Sequence, residues 1–302
     1  MKVGNFHIIT TIIGKKERNK MSKDKADSNL DFVTEKKLQE YYFEFKEMER
    51  LQKKYNLLFI SPHTVLVSYP KSGRTWLRMM MAKLMQLSLG EKAKSDKYEI
   101  FPAIHDTYKD FKERFKENDY KKLNVIFLHR HPGDVAVSRF LEMKHSHRDE
   151  VGFEGSIDQY IRRDQDYGIT KIIEYNNKWI EKGGNFNTFL VLSYYMLHKE
   201  PFACLYAISK MIGLPVTKEQ IEEAIEFGHF NNMKKIEKND DENENLLKHY
   251  KGNFGASGKY DRVNIGKYNN YINILKKEDV DYIHECMKES NIDYAYDEDE
   301  EK

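Results

Sequence analysis

A basic loop is the part of this chain best suited to chemistry. The loop reads Ser68-Tyr69-Pro70-Lys71-Ser72-Gly73-Arg74-Thr75 and lies between a short apolar run and a helical stretch. Backbone amides that open a helix point at whatever lies above its N-terminus, so such a loop suits an anion. The Lys71 amine is placed to neutralise charge on a leaving oxygen of that anion.

The same loop has the register of the Walker A pattern, in which glycine and four residues precede Gly-Lys-Ser/Thr. Ser68 stands where the first glycine belongs, and Arg74 replaces the lysine. These changes argue against a triphosphate site, and the sequence shows no recognisable magnesium-binding partner motif. A nucleotide kinase or other phosphoryl transferase remains an alternative, as does a non-catalytic nucleotide-binding module.

The elements that position these residues follow a repeated order of strand, loop and helix. Strands are predicted over residues 64–69, 124–128 and 189–192, and helices over 75–89, 134–144, 201–212 and 217–227. This alternation predicts an α/β, P-loop NTPase-like three-layer fold, with a central parallel sheet flanked by helices. Ligands of such sheets lie at the carboxyl ends of the strands, where the loops after these strands meet.

Two blocks carry a resemblance to a known family. Residues 69–76, Tyr-Pro-Lys-Ser-Gly-Arg-Thr-Trp, resemble the 5′-phosphosulfate loop of sulfotransferases that use 3′-phosphoadenosine 5′-phosphosulfate (PAPS). Residues 127–138, Phe-Leu-His-Arg-His-Pro-Gly-Asp-Val-Ala-Val-Ser, resemble the block that holds the 3′-phosphate. Beyond Lys71, the resemblance implies cofactor-binding roles for Ser72, Gly73, Arg74, Thr75, Trp76, Arg130 and Ser138. A strand-end guanidinium such as that of Arg130 can grip a phosphate bidentately, which agrees with this assignment.

Two further blocks extend the resemblance to roughly residues 60–285. Residues 192–197 are similar to the family strand that ends in an adenine-contacting tyrosine, here Tyr194. Residues 262–268 resemble the segment that closes over the 3′-phosphate, although Lys251-Gly252 competes for that alignment. The residues implied there are Arg262, Gly266 and Lys267.

The resemblance also implies a reaction. His105 stands where the family has its base, so it would deprotonate a hydroxyl or amine of a small-molecule acceptor. The acceptor would then take the sulfuryl group of PAPS while Lys71 stabilises the leaving phosphate, with no metal required. The sequence leaves open the identity of the acceptor, the choice between O- and N-sulfation, and the oligomeric state.

Composition excludes other classes of protein. Fifty Lys and Arg residues against 49 Asp and Glu give a net charge of +1, so no overall field favours nucleic acid or an anionic membrane. No apolar run approaches the roughly 18 to 20 residues of a spanning helix, so membrane insertion is not expected. Two cysteines cannot form a disulfide framework, which favours a cytoplasmic location. We expect a flexible N-terminal extension over residues 1–35 and a sulfotransferase domain over 36–302, beginning with a helix over 35–55.

Overall fold

The structure is a computed structural model that describes residues 58–90, 98–145, 153–164, 167–238 and 268–294, together with a helical residue 50. Its strands are β1 (Leu58–Phe59), β2 (Thr64–Ser68), β3 (Tyr98–Glu99), β4 (Ala103–Ile104), β5 (Asn124–His129) and β6 (Thr188–Ser193). The expected extension over 1–35, nearly all of the helix expected over 35–55, and the expected ligands Arg262, Gly266 and Lys267 lie outside the described residues.

The helices lie between the strands and, in larger number, after β6. They are α1 (Arg74–Leu89), α2 (Tyr108–Arg114), α3 (Pro132–His145), α4 (Ile157–Ile161), α5 (Ile169–Lys182), α6 (Tyr194–Lys199), α7 (Pro201–Ile212), α8 (Lys218–Phe227), α9 (Phe230–Lys238), α10 (Tyr271–Ile274) and α11 (Lys277–Met287). Short 3₁₀ helices lie at Glu117–Lys122 and Gly183–Asn185. The helices predicted over 75–89, 134–144, 201–212 and 217–227 correspond to α1, α3, α7 and α8. Helix α5 was not predicted, although its buried Ile169, Ile172, Ile173 and Trp179 recur at helical spacing.

The central sheet is parallel, with its strands in the order β4-β2-β5-β6. Every residue of β2 is buried, and β5 is buried from Val125 onward, as expected of strands covered on both faces. The register pairs Ser68 of β2 with Leu128 of β5, and His129 of β5 with Ser193 of β6. The carboxyl ends of these strands therefore meet at one edge of the sheet, so the predicted α/β fold with a central parallel sheet is confirmed.

Two apolar clusters cover the faces of the sheet and make the three layers. Val65 and Val67 of β2 belong to a cluster with α2, α3, α5 and α11. Leu66 lies between them on the opposite face and packs with α1, α7 and α8. This division follows from the alternation of side chains along a strand. Among the described residues, no helix combines the length and apolar character needed to cross a membrane.

Local capping signals fix where the helices at this edge begin. Thr107 and Asp110 form a capping box that starts α2, which leaves His105 in the short connection after β4. The Ser193 hydroxyl accepts a hydrogen bond from the Met196 amide and starts α6, so Tyr194 is the first residue of that helix. The short connections hold both side chains at the sheet edge.

Candidate active site

The loop between β2 and α1 has the backbone of an anion cradle. Gly73 precedes α1 with φ of 95°, a left-handed conformation that glycine adopts without cost. No side chain of the described residues caps α1, and its first turn carries no acidic residue. Its first amides therefore remain available to an anion.

Close packing also requires glycine at position 73. A Cβ atom there would lie 2.4 Å from Cδ2 of the Tyr194 ring, well inside any normal contact. The neighbouring Lys71 is a non-glycine residue with φ of 71°, a conformation that stores strain and recurs at ligand sites. The loop thus packs against Tyr194 of α6 at Gly73, and its backbone takes a left-handed turn at Lys71.

Arg130 connects the anion loop to the starts of α3 and α6 at the carboxyl edge of the sheet. Its Nη1 atom donates to the carbonyl oxygen of Lys71 at 3.3 Å, and its Nη2 atom lies 3.4 Å from Oδ2 of Asp134. Its guanidinium lies over the Tyr194 ring, 4.2 Å from the ring centre. These contacts place a mostly buried cation beside the loop, at the end of β5.

Asp134 links this cation to a distant part of the chain. Its carboxylate accepts hydrogen bonds from the backbone amides of Asn269, at 2.9 Å, and Tyr271, at 3.1 Å. The segment that leads into α10 is therefore anchored at the start of α3, next to Arg130. No sequence motif predicts this contact, because it joins residues more than a hundred positions apart.

An aromatic wall stands beside the cation. The Trp76 ring lies 5.6 Å from the Tyr194 ring and 4.5 Å from the His198 ring, and its Nε1 atom donates to the Gly228 carbonyl at 2.7 Å. Residues missed by the sequence reasoning complete this wall, namely His198, Gly228, His229, Phe230 and Met233. Burial, and then the charge of Arg130, lowers the pKa of His198 to about 4, so its ring is neutral at physiological pH.

His105 follows β4 and faces the cavity from the other side. Its Nδ1 atom lies 2.8 Å from the Ser68 carbonyl oxygen, which can only accept, so Nδ1 carries the proton and Nε2 carries the lone pair. Although the ring is exposed to the cavity, the surrounding walls desolvate it and lower its pKa from 6.5 to about 3. The positive charges of Arg74, Arg139 and Arg78 act in the same direction. His105 is therefore neutral at pH 7.

Lys71 contacts an acidic residue that the sequence reasoning did not single out. Its Nζ atom donates to Oε1 of Glu142 at 3.4 Å, and Nη1 of Arg139 donates to Oε2 of the same carboxylate at 2.6 Å. Burial would raise the pKa of Glu142, but the charges and hydrogen bonds of Lys71 and Arg139 outweigh it and hold that pKa below its usual value. Glu142 is thus ionised and shared by two cations.

A cavity of about 860 Å³ brings most of the predicted residues together. Its wall includes Lys71, Gly73, Arg74, Thr75, Trp76, His105, Arg130, Ser138 and Tyr194. Ser72 is buried beneath the loop, outside the lining, and its Oγ atom has no hydrogen-bond partner among the described residues. In the part of the chain that the structure describes, no group of three or more His, Cys, Asp or Glu residues is arranged to hold a metal ion. The individual roles of the lining residues stay predictions.

The anion loop, a strand-end arginine and a neutral histidine thus line one cavity at the carboxyl edge of the sheet, an arrangement suited to an anionic nucleotide. Residues 61–293 match the family model described as "Sulfotransferase domain". The chain therefore belongs to the sulfotransferase family, and the family expected from the sequence is confirmed.

Solved structures agree with the fold. Retinol dehydratase in complex with retinol and PAP is 17% identical, with a TM-score of 0.58 over 82% of this chain and 88% of that one. Retinol dehydratase with androsterone and inactive cofactor PAP is 15% identical, with a TM-score of 0.59 over 83% and 88%. Mouse sulfotransferase SULT7A1 complexed with PAP is 18% identical, with a TM-score of 0.55 over 81% and 88%. At these identities the likeness concerns the fold.

Proposed function

We propose that this sulfotransferase transfers a sulfuryl group from PAPS to a hydroxyl or amine of a small-molecule acceptor. The observation that carries the proposal is that Lys71, Arg130 and His105 line one cavity at the carboxyl edge of the parallel sheet. PAP, the nucleotide in the three solved structures of like fold, is what PAPS becomes when it loses its sulfuryl group.

The residues of the cavity fit such a donor. Gly73 leaves a cradle that a Cβ would fill, and the amides of α1 and the Lys71 ammonium suit a 5′-phosphosulfate. Arg130 suits the 3′-phosphate, with Ser138 on the next helix, and the wall around Trp76 and Tyr194 suits a purine. The volume of about 860 Å³ lies within the roughly 300–1,000 Å³ of small-molecule sites. The cofactor-binding roles of Ser72, Arg74 and Thr75 in the loop belong to this proposal.

The donor supplies the sulfuryl group, and the residues of this chain hold and move protons and charge around it. Nε2 of His105 takes the proton of the acceptor as the acceptor oxygen or nitrogen bonds to sulfur and the bond from sulfur to the bridging oxygen of the 5′-phosphate breaks. Nζ of Lys71 donates to the oxygen of the 5′-phosphate that departs, where negative charge develops. Both side chains are held before the reaction, by the Ser68 carbonyl and the Glu142 carboxylate respectively.

The strength of His105 as a base depends on the charge in the cavity. In the free protein, desolvation and, after it, the charges of three arginines hold the pKa of His105 at about 3, which makes the ring neutral but weakly basic. A dianionic phosphosulfate next to those arginines offsets their charge, so the pKa of His105 rises when the donor is bound. The base is then strengthened in the complex in which it acts.

Two expectations from the sequence remain predictions. The family match covers residues 61–293, and we retain a sulfotransferase domain over 36–302 preceded by an extension over 1–35. The cytoplasmic location inferred from the cysteine content is retained in the same way. Cys204 and Cys286 are both free thiols.

Calorimetric titration of PAP into the protein, in chelator and without magnesium, tests the proposal. We expect metal-free binding that weakens at least tenfold for ADP, which lacks the 3′-phosphate. Tight binding of ATP only in the presence of magnesium would instead support the phosphoryl-transfer alternative. Binding of PAP without sulfuryl transfer to any of a panel of phenols, alcohols and amines would support the non-catalytic module.

A further inference from the structure

The cavity holds a carboxylate at the place where an anionic donor needs cations. Glu142 lies on α3 and forms two ion pairs. Its Oε1 atom lies 3.4 Å from Nζ of Lys71, and its Oε2 atom lies 2.6 Å from Nη1 of Arg139. The three side chains are mostly buried, with exposed fractions of 14%, 20% and 16% for Lys71, Glu142 and Arg139. Solvent therefore screens this group of charges much less than it screens a surface ion pair.

Glu142 and an anionic donor compete for Lys71. A carboxylate that attracts the Lys71 ammonium competes with a phosphosulfate for the same cation. Glu142 also has a second cationic partner, since Arg139 donates a hydrogen bond to its other carboxylate oxygen. When Lys71 turns to the donor, Glu142 keeps one charged partner and is not left as an uncompensated buried charge.

We propose that Glu142 is a positioning residue. It holds the Lys71 ammonium in an ion pair before the donor binds, and that ion pair breaks when Lys71 binds the leaving phosphate. The inference rests on the proposed function, because it assigns Lys71 to the 5′-phosphate of the donor. Donor binding must then break the ion pair between Glu142 and Lys71, which lowers the affinity for the donor. Glu142 thus acts on the donor only through Lys71.

A double-mutant cycle separates this role from simple charge repulsion. Glu142→Gln preserves the shape of the side chain and removes its charge, and we expect it to tighten PAP binding about 3- to 10-fold, the scale of a partly buried ion pair. In a Lys71→Met background the same substitution should change PAP binding less than about twofold, because the competed cation is gone. Calorimetry measures all four proteins, and thermal unfolding verifies that each is folded.

Two further variants sharpen the cycle. Glu142→Asp keeps the charge but shortens the reach to Lys71, so its affinity should fall between those of the wild type and Glu142→Gln. Glu174→Gln is the matched control, since Glu174 forms an exposed pair with Lys171 and is not among the lining residues. Its affinity for PAP should equal that of the wild type.

The outcomes are distinct. Weaker PAP binding by Glu142→Gln would mean that Glu142 directs Lys71 toward the phosphate, which overturns the proposal. Equal tightening in the wild-type and Lys71→Met backgrounds would mean direct repulsion of the donor by Glu142, which also overturns it. If the wild type binds no PAP, the proposed function itself fails, whereas PAP binding that is insensitive to Glu142 refutes this inference alone.

Discussion

The Nδ1 atom of His105 lies 2.8 Å from the carbonyl oxygen of Ser68, the last residue of β2 and the first residue of the anion loop. The hydrogen bond fixes the tautomer of His105 and connects the candidate base to the end of β2, the strand that leads into the loop with Lys71. The base and the cation for the leaving group are therefore both connected to the carboxyl end of β2, through one hydrogen bond and through three residues of loop.

Replacing His105 by alanine should lower turnover by a factor of about 100 to 10,000, the usual cost of losing a general base. PAP affinity should change little, because the ring is neutral at pH 7 and its proposed partner is the acceptor. Sulfuryl transfer from labelled PAPS to an acceptor found by screening measures the first quantity, and calorimetry measures the second. Turnover equal to that of the wild type would remove His105 from the role of base.

The pKa of His105 should rise when the donor site is filled. In the free protein, desolvation and the charge of Arg74 hold it at about 3, so the ring is neutral through the physiological range. Filling the site with PAP neutralises part of that positive field and stabilises the protonated ring. NMR titration of His105, assigned with the His105→Gln variant, should therefore show a higher pKa with PAP than without it. An unchanged or lower value would contradict the electrostatic coupling.

The same shift predicts the pH dependence of the reaction. A base must be deprotonated to act, so activity should fall as the pH drops through its pKa. The acid limb of kcat, which reports the loaded enzyme, should therefore lie at higher pH than the acid limb of kcat/KM for the donor, which reports the free enzyme. Coincident limbs would show that His105 does not respond to the donor.

Arg130→Gln should weaken binding of PAP by about 1.5–3 kcal/mol, the scale of a hydrogen bond to a charged group. The loss should depend on the 3′-phosphate, so the variant and the wild type should bind adenosine 5′-phosphate with similar affinity. Calorimetric titration of both nucleotides into both proteins measures the difference. Equal losses for the two nucleotides would assign Arg130 to the loop structure through Lys71 and not to the 3′-phosphate.

Gly73→Ala should destabilise the fold and weaken PAP binding. The new Cβ would clash with the Tyr194 ring at 2.4 Å, in addition to the cost of φ at 95°. Together we expect a loss of about 2–4 kcal/mol in the free energy of unfolding, which urea titration measures.

Gly213 provides the matched control for this change. It ends α7 with φ of 71°, and a Cβ there would have no heavy atom within 4 Å. Gly213→Ala should therefore cost only the backbone term of about 1 kcal/mol and leave PAP affinity unchanged. Equal losses of stability for the two variants would show that the packing of Tyr194 against the loop adds nothing.

The sequence by itself determined the local parts of this protein. Apolar runs set the strands, capping residues such as Thr107 and Ser193 set where helices begin, and the loop around Lys71 and Gly73 forms from contiguous residues. Parallel strands must place their carboxyl ends together, so the meeting of Lys71, Arg130 and Tyr194 at one edge was also predictable.

Only the tertiary structure decided which distant side chains complete the site. Glu142 and Lys71 are 71 positions apart in the sequence and meet because α3 packs against the anion loop. Trp76 and Gly228 are 152 positions apart and meet because the turn before α9 packs against α1. Such pairs carry no periodicity or spacing in the chain, because helix packing and strand order set their distances. The charge that surrounds His105, and with it the strength of the base, is likewise a sum over residues that only the folded chain assembles.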